Sequence, residues 1–161
     1  MSDTGVIERQ LGRPPRGVRQ VAARCPFGLP AVVEQHAYLE SGEPFPTTYY
    51  LTCPHAIAQI DRLEAEGGVD RYERIVAEDA DARASYAAAA ARQRRIRRPG
   101  REMADGGASL ALGIAGVTRA GAVKCLHAHA AFALAEPGYE LGDRILAEAA
   151  PLYPTDRCCS A

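Results

Sequence analysis

The spacing of apolar residues changes near residue 53. Upstream, apolar residues come in short alternating runs; downstream, they recur every three or four positions. Gly17–Ala23 sets Val18 and Val21 among arginines and reads as a strand. Ala31–Tyr38 (AVVEQHAY) reads as a second, and Pro46–Thr52 (PTTYYLT), β-branched and aromatic, as the clearest third. Cys25-Pro-Phe-Gly-Leu-Pro30 and Glu40-Ser-Gly-Glu-Pro44 carry the glycines and prolines of turns. Short connections between three strands imply an antiparallel meander.

Helical spacing begins at Pro54–Glu66, where Ile57, Ile60 and Leu63 share one face and Pro54 suits a first helical position. Gly67-Gly68 stops that helix. Val69–Ala80 forms a second helix with Tyr72, Ile75 and Val76 inward, and alanine-rich Asp81–Ile96 a third, ended by Pro99-Gly100. Leu110–Val117 is apolar and fits either period. Ala120–Leu134 is the most apolar helical stretch, ended by Pro137-Gly138, and Leu141–Ala150 is a last short helix. Residues 1–16 read as a lead-in with one helical turn near Gly5–Leu11, because Arg13-Pro-Pro-Arg16 cannot lie inside a helix. Residues 151–161 read as a mobile tail. The expected fold is α+β: one domain over residues 17–150, with a small three-stranded antiparallel sheet near the N-terminus packed by a set of helices.

Composition narrows the function classes. A chain of 161 residues suits one domain with a real core. Aromatics are only 6% of residues, so that core is made of Leu, Ile, Val and Ala. The net charge of −1 supplies no global field, which argues against nucleic acid as a partner. Arg92, Arg94, Arg95, Arg97, Arg98 and Arg101 cluster without interleaved aromatics, and read as a solvated helix end. There is no membrane-span signal, and the lead-in lacks the apolar centre of a secretory signal. The expected location is the reducing cytoplasm, where five cysteines read as ligands, catalytic thiols or core residues before disulfides.

Candidate chemistry gathers in Gly121–Leu134. This stretch holds the only lysine, Lys124, together with Cys125, His127 and His129. On a regular helix Cys125 and His129 share a face; Cys125 and His127 can serve one site only if the helix begins near Cys125. Cys25 at a turn and Cys53 at a strand-to-helix junction are two further thiols. Thiolates suit zinc or an iron–sulfur cluster, although no Cys-x-x-Cys pair is present. At a helix N-terminus Cys53 would also be an activated thiol, with His55 two residues on. Cys158 and Cys159 read as incidental tail residues.

Four blocks carry a family likeness: Gly12-Arg-Pro-Pro-Arg-Gly17, Arg24-Cys-Pro-Phe-Gly-Leu-Pro30, Pro44-Phe-Pro-Thr-Thr-Tyr-Tyr-Leu-Thr-Cys-Pro54 and Val123-Lys-Cys-Leu-His127. Through them the chain resembles a family of small actinobacterial proteins classed as a domain of unknown function. The resemblance implies that Cys25, Cys53, Lys124, Cys125 and His127 belong to a shared pattern. That pattern has a further histidine seven residues after Cys125, where this chain has Phe132, one turn beyond His129. Family members are encoded near a septum-formation protein and an exopolyphosphatase, which implies envelope or phosphate biology.

The leading expectation is a metal site, zinc or iron–sulfur, built from Cys25, Cys53 and Cys125 with His127 or His129. The second is an enzyme acting on a phosphorylated or acyl substrate, with Cys53 or His127 in the chemistry and Lys124, Arg13, Arg16 and Arg24 holding an anion. The third is an interaction module linked to cell division, with a protein partner and merely buried cysteines.

Overall fold

The computed structural model describes residues 2–160. Three strands, β1 (Val18–Arg24), β2 (Pro30–Gln35) and β3 (Tyr49–Leu51), form one antiparallel sheet in the order β1-β2-β3. The central strand β2 is buried along its whole length. Val33 lies opposite Val21 on one side and Tyr50 on the other. The clearest strand signal, Pro46–Thr52, yields a regular strand of three residues, with Gln35 N still donating to Thr48 O and Thr52 N to Ala31 O at its two ends.

Six α-helices accompany this sheet among the described residues: α1 (Asp3–Leu11), α2 (Pro54–Ala65), α3 (Gly68–Glu78), α4 (Ala80–Ile96), α5 (Leu126–Ala135) and α6 (Glu140–Ala149). The architecture is therefore α+β with a small N-terminal antiparallel sheet, as the change of period implies. Asp79 caps α4 through its carboxylate, which accepts from Asp81 N and Ala82 N. The apolar run at 110–117 forms no regular element and falls across two short 3-10 turns, Ala108–Ala111 and Ile114–Gly116. The lead-in is more structured than one turn: α1 spans nine residues and buries Val6 and Ile7.

The central helix starts later than its sequence suggests. Gly121 and Lys124 both have positive φ, 79° and 62°, which breaks any helix through 120–125. Seven of the ten residues from Leu126 to Ala135 are buried, as expected of a helix apolar nearly all round. Phe132 packs edge-on to Tyr49 and Tyr139, each ring centroid 5.5 Å away.

The arginine cluster is not uniformly solvated. Arg97 is 6% exposed, and its guanidinium donates to Ser109 O (2.9 Å), Phe45 O (2.9 Å) and Thr48 Oγ1 (3.1 Å). It ties the end of α4 to the approach to β3, while Arg94, Arg95, Arg98 and Arg101 remain exposed. No helix among the described residues is long and apolar enough to cross a membrane.

Candidate functional site

Cys125 is the N-cap residue of α5, so Cys125 and His127 leave one helix end toward one site. The backbone immediately before it is strained. Cys125 N donates to Val123 O at 2.6 Å, closing a three-residue γ-turn around Lys124. A positive φ at a lysine, 62°, gives the rarer and costlier form of that turn. His129 holds the turn in place. Its Nε2 donates to Val123 O (3.1 Å), which fixes the tautomer, so Nδ1 accepts from Tyr139 OH (2.7 Å). Complete burial lowers the His129 pKa to about 4. His129 is thus a neutral core residue with both nitrogens engaged, and it supplies no ligand.

Two carboxylates from α2 complete the site. Asp61 and Glu64 lie three residues apart and share a helix face. Glu64 Oε1 accepts from Leu126 N at 2.7 Å, capping α5 from another helix, and lies 3.2 Å from His127 Nδ1. Asp61 Oδ1 lies 2.9 Å from His127 Nε2, and Cys125 Sγ 3.7 Å from His127 Nδ1. Burial opposes a charged ring. The hydrogen bond and charge of Cys125, with Glu64 and Asp61, outweigh it and raise the His127 pKa to about 9. Ligand atoms of Glu64, Cys125 and His127 lie within 4.8 Å of one another.

This cluster borders a groove of about 450 Å³. Its walls come from Tyr49 and Tyr50 of β3, Ile57 of α2, and Lys124, Cys125 and His127. A larger cavity of about 930 Å³ lies between α3, α4 and residues 111–121. It is lined by four arginines, Asp70, Glu73, Tyr86 and small residues, with no cysteine or histidine, so the smaller groove is the one with thiol and imidazole chemistry.

The expected convergence of Cys25, Cys53 and Cys125 does not occur. Cys53 caps the start of α2, whereas Glu64, which touches His127, is eleven residues on, roughly 16 Å along the helix axis. Cys53 is also no activated nucleophile. Burial pushes its thiol up to about 11 against the Ala56 N–H, and the His55 ring bonds Leu152 O instead. Phe132, where the family pattern has a histidine, sits in the core about 10 Å along the axis from Cys125. Two of the expected anion-holding arginines are occupied. Arg24 pairs with Asp3 (2.6 Å) and Arg16 with Glu43 (2.9 Å), while Arg13 is exposed. Only Lys124 faces the candidate groove. Sequence reasoning missed Asp61 and Glu64, whose spacing on α2 was the available signal.

Residues 21–147 match the family described as Protein of unknown function (DUF501). The match spans most of the chain, and the protein belongs to that family. No curated protein and no solved structure matches it.

Proposed function

We propose that this member of the family binds a zinc-class divalent metal through Glu64, Cys125 and His127 Nδ1, with a further coordination position open to the groove. The carrying observation is the mutual approach of the three donor atoms within 4.8 Å. One thiolate, one imidazole and one carboxylate suit zinc, whereas an iron–sulfur cluster needs several thiolates in one place. Asp61 fits the outer role, since a metal-bound histidine characteristically gives its other ring nitrogen to a carboxylate. Three protein ligands beside a groove match an open site rather than a closed structural one. Lys124 at the mouth favours an anionic ligand there. Binding displaces the Nδ1 proton from a ring held charged at neutral pH, so it releases protons.

The test is zinc titration of reduced, metal-stripped protein against a chromophoric chelator. One equivalent should bind to the wild type. Cys125→Ser and Glu64→Gln should weaken binding at least tenfold, and Asp61→Asn by about 10–100-fold. Binding unchanged in Cys125→Ser, or no saturable binding, rejects the reading.

A second reading rests on the same Asp61 contact. The series Cys125 Sγ, His127, Asp61 has the order of a nucleophile, a base and an orienting acid, with the thiol at a helix N-terminus. It requires metal-free protein to alkylate at Cys125 far faster than at Cys159, and the rate to fall in Asp61→Asn. Equal rates at the two thiols would remove it.

A further inference from the structure

The described tail, residues 150–160, has no helix or strand, yet it returns to the N-terminal half. Leu152 O accepts from His55 Nδ1 (2.9 Å), and Ser160 Oγ accepts from Gln10 Nε2 (3.2 Å). This path brings two adjacent thiols against two separate partners. Cys158 Sγ lies 3.8 Å from Cys25 Sγ, and Cys159 Sγ lies 3.6 Å from Cys53 Sγ. Cys25, Cys53 and Cys158 are 6%, 1% and 7% exposed, while Cys159 is exposed. These separations span 133 and 106 residues of chain.

We infer that these four cysteines form an oxidant-reactive dithiol site that closes into two disulfides, Cys53–Cys159 and then Cys25–Cys158. The inference rests on none of Glu64, Cys125 and His127. Each pair sits at thiol contact distance, so side-chain rotation must close the gap to a bond of about 2.05 Å. A shared metal fits less well, because no three of these sulfurs lie within 4.8 Å of one another. Order follows from access and charge. Burial works against a Cys159 thiolate. The His55 N–H, Ser160 hydroxyl and neighbouring thiols outweigh it and lower the Cys159 pKa. Burial raises Cys53 and Cys158.

The oxidant is a low-molecular-weight disulfide. The Cys159 thiolate attacks one of its sulfurs, the S–S bond of the oxidant breaks, and one thiol leaves. Cys53 then gives up its proton, attacks the Cys159 sulfur and displaces the second thiol. Two electrons pass to the oxidant, and the two protons of Cys53 and Cys159 end on the released thiols. A second oxidant molecule closes Cys25–Cys158 in the same way, more slowly because both thiols are buried. The reduced tail is held by a few hydrogen bonds and by Leu152, Tyr153 and Cys158 packed on the core; the oxidised tail is stapled to the β1–β2 turn and the start of α2.

The test incubates the full chain, reduced and metal-free, with oxidised glutathione, followed by intact mass and peptide mapping over time. The expected product has lost four hydrogens and contains peptides linked 53–159, appearing first, and 25–158, with Cys125 unlinked. Its melting temperature should rise by about 10 °C and return on reduction. Cys159→Ser, at an exposed position, should lose the first link and keep the second. Persistent glutathione adducts at Cys159, a Cys158–Cys159 bond, or a zinc equivalent in Cys125→Ser protein that shields all four thiols would overturn the inference.

Discussion

Acidification tests the role of His129. Its pKa is about 4 in the fold against 6.5 for a free ring, because burial disfavours the imidazolium. Between those values the unfolded chain binds a proton that the folded protein does not. Stability is therefore complete above about pH 6.5 and falls as the pH drops toward 4. Linkage makes the loss about 2 kcal/mol between pH 7 and pH 5. His127 acts in the opposite sense. Its pKa, raised to about 9, gives a contribution that is complete below about 6.5 and lost as the pH rises through 9. Going from pH 7 to pH 5 it adds just under ~1 kcal/mol, so the net loss in the wild type is about 1 kcal/mol. The isolating measurement is the comparison with His129→Gln. Urea unfolding of metal-stripped protein at pH 7, 6 and 5 should show the variant gaining about 2 kcal/mol relative to the wild type across that window. The acidic side chains Asp3, Asp79 and Asp105, all with lowered pKa, act mainly below pH 5 and cancel in the comparison. Parallel pH profiles for the two proteins would refute the account. So would a wild-type His129 ring titrating by NMR near pH 6.5, a readout that stands even where the variant unfolds.

Three further outcomes follow from packing. Arg97→Ala should cost roughly 3 kcal/mol by leaving the carbonyls of Phe45 and Ser109 without their donor, whereas Arg94→Gln, Arg95→Gln and Arg98→Gln together should shift the melting temperature by only a few degrees. Gly142→Ala should destabilise by about 1–3 kcal/mol, since an added Cβ would meet Ala133 Cβ and Tyr139 Cδ1, each at 2.6 Å; an unchanged denaturation midpoint would show that α5 and α6 can part there. Glu64→Gln should keep its hydrogen bond to the start of α5 while losing the charge beside His127, so the His127 NMR midpoint should fall with little loss of helicity; an unmoved midpoint would take Glu64 out of that ring's electrostatics.

The sequence alone determined the elements whose signals are local. The change of apolar period after residue 53 separates the sheet from the helices that follow it, Pro54 opens α2 at its first position, and left-handed Gly67 separates α2 from α3, which Gly68 begins. Its condition on Cys125 and His127, a helix beginning near Cys125, is the observed start of α5. What it left open depended on partners far away in the chain. The start of α5 is set by Glu64, 62 residues upstream, and by a left-handed Lys124 that no local propensity favours. His129 looked like a ligand because helical spacing reports which face a residue occupies, not that Tyr139 and Val123 already hold both its nitrogens. Arg97 is indistinguishable from its neighbours by composition, and only the approach of residues 45–48 makes it buried. The tail thiols looked incidental for the same reason: their meeting with Cys25 and Cys53 closes loops of 133 and 106 residues, which periodicity does not encode and only the packed fold decides.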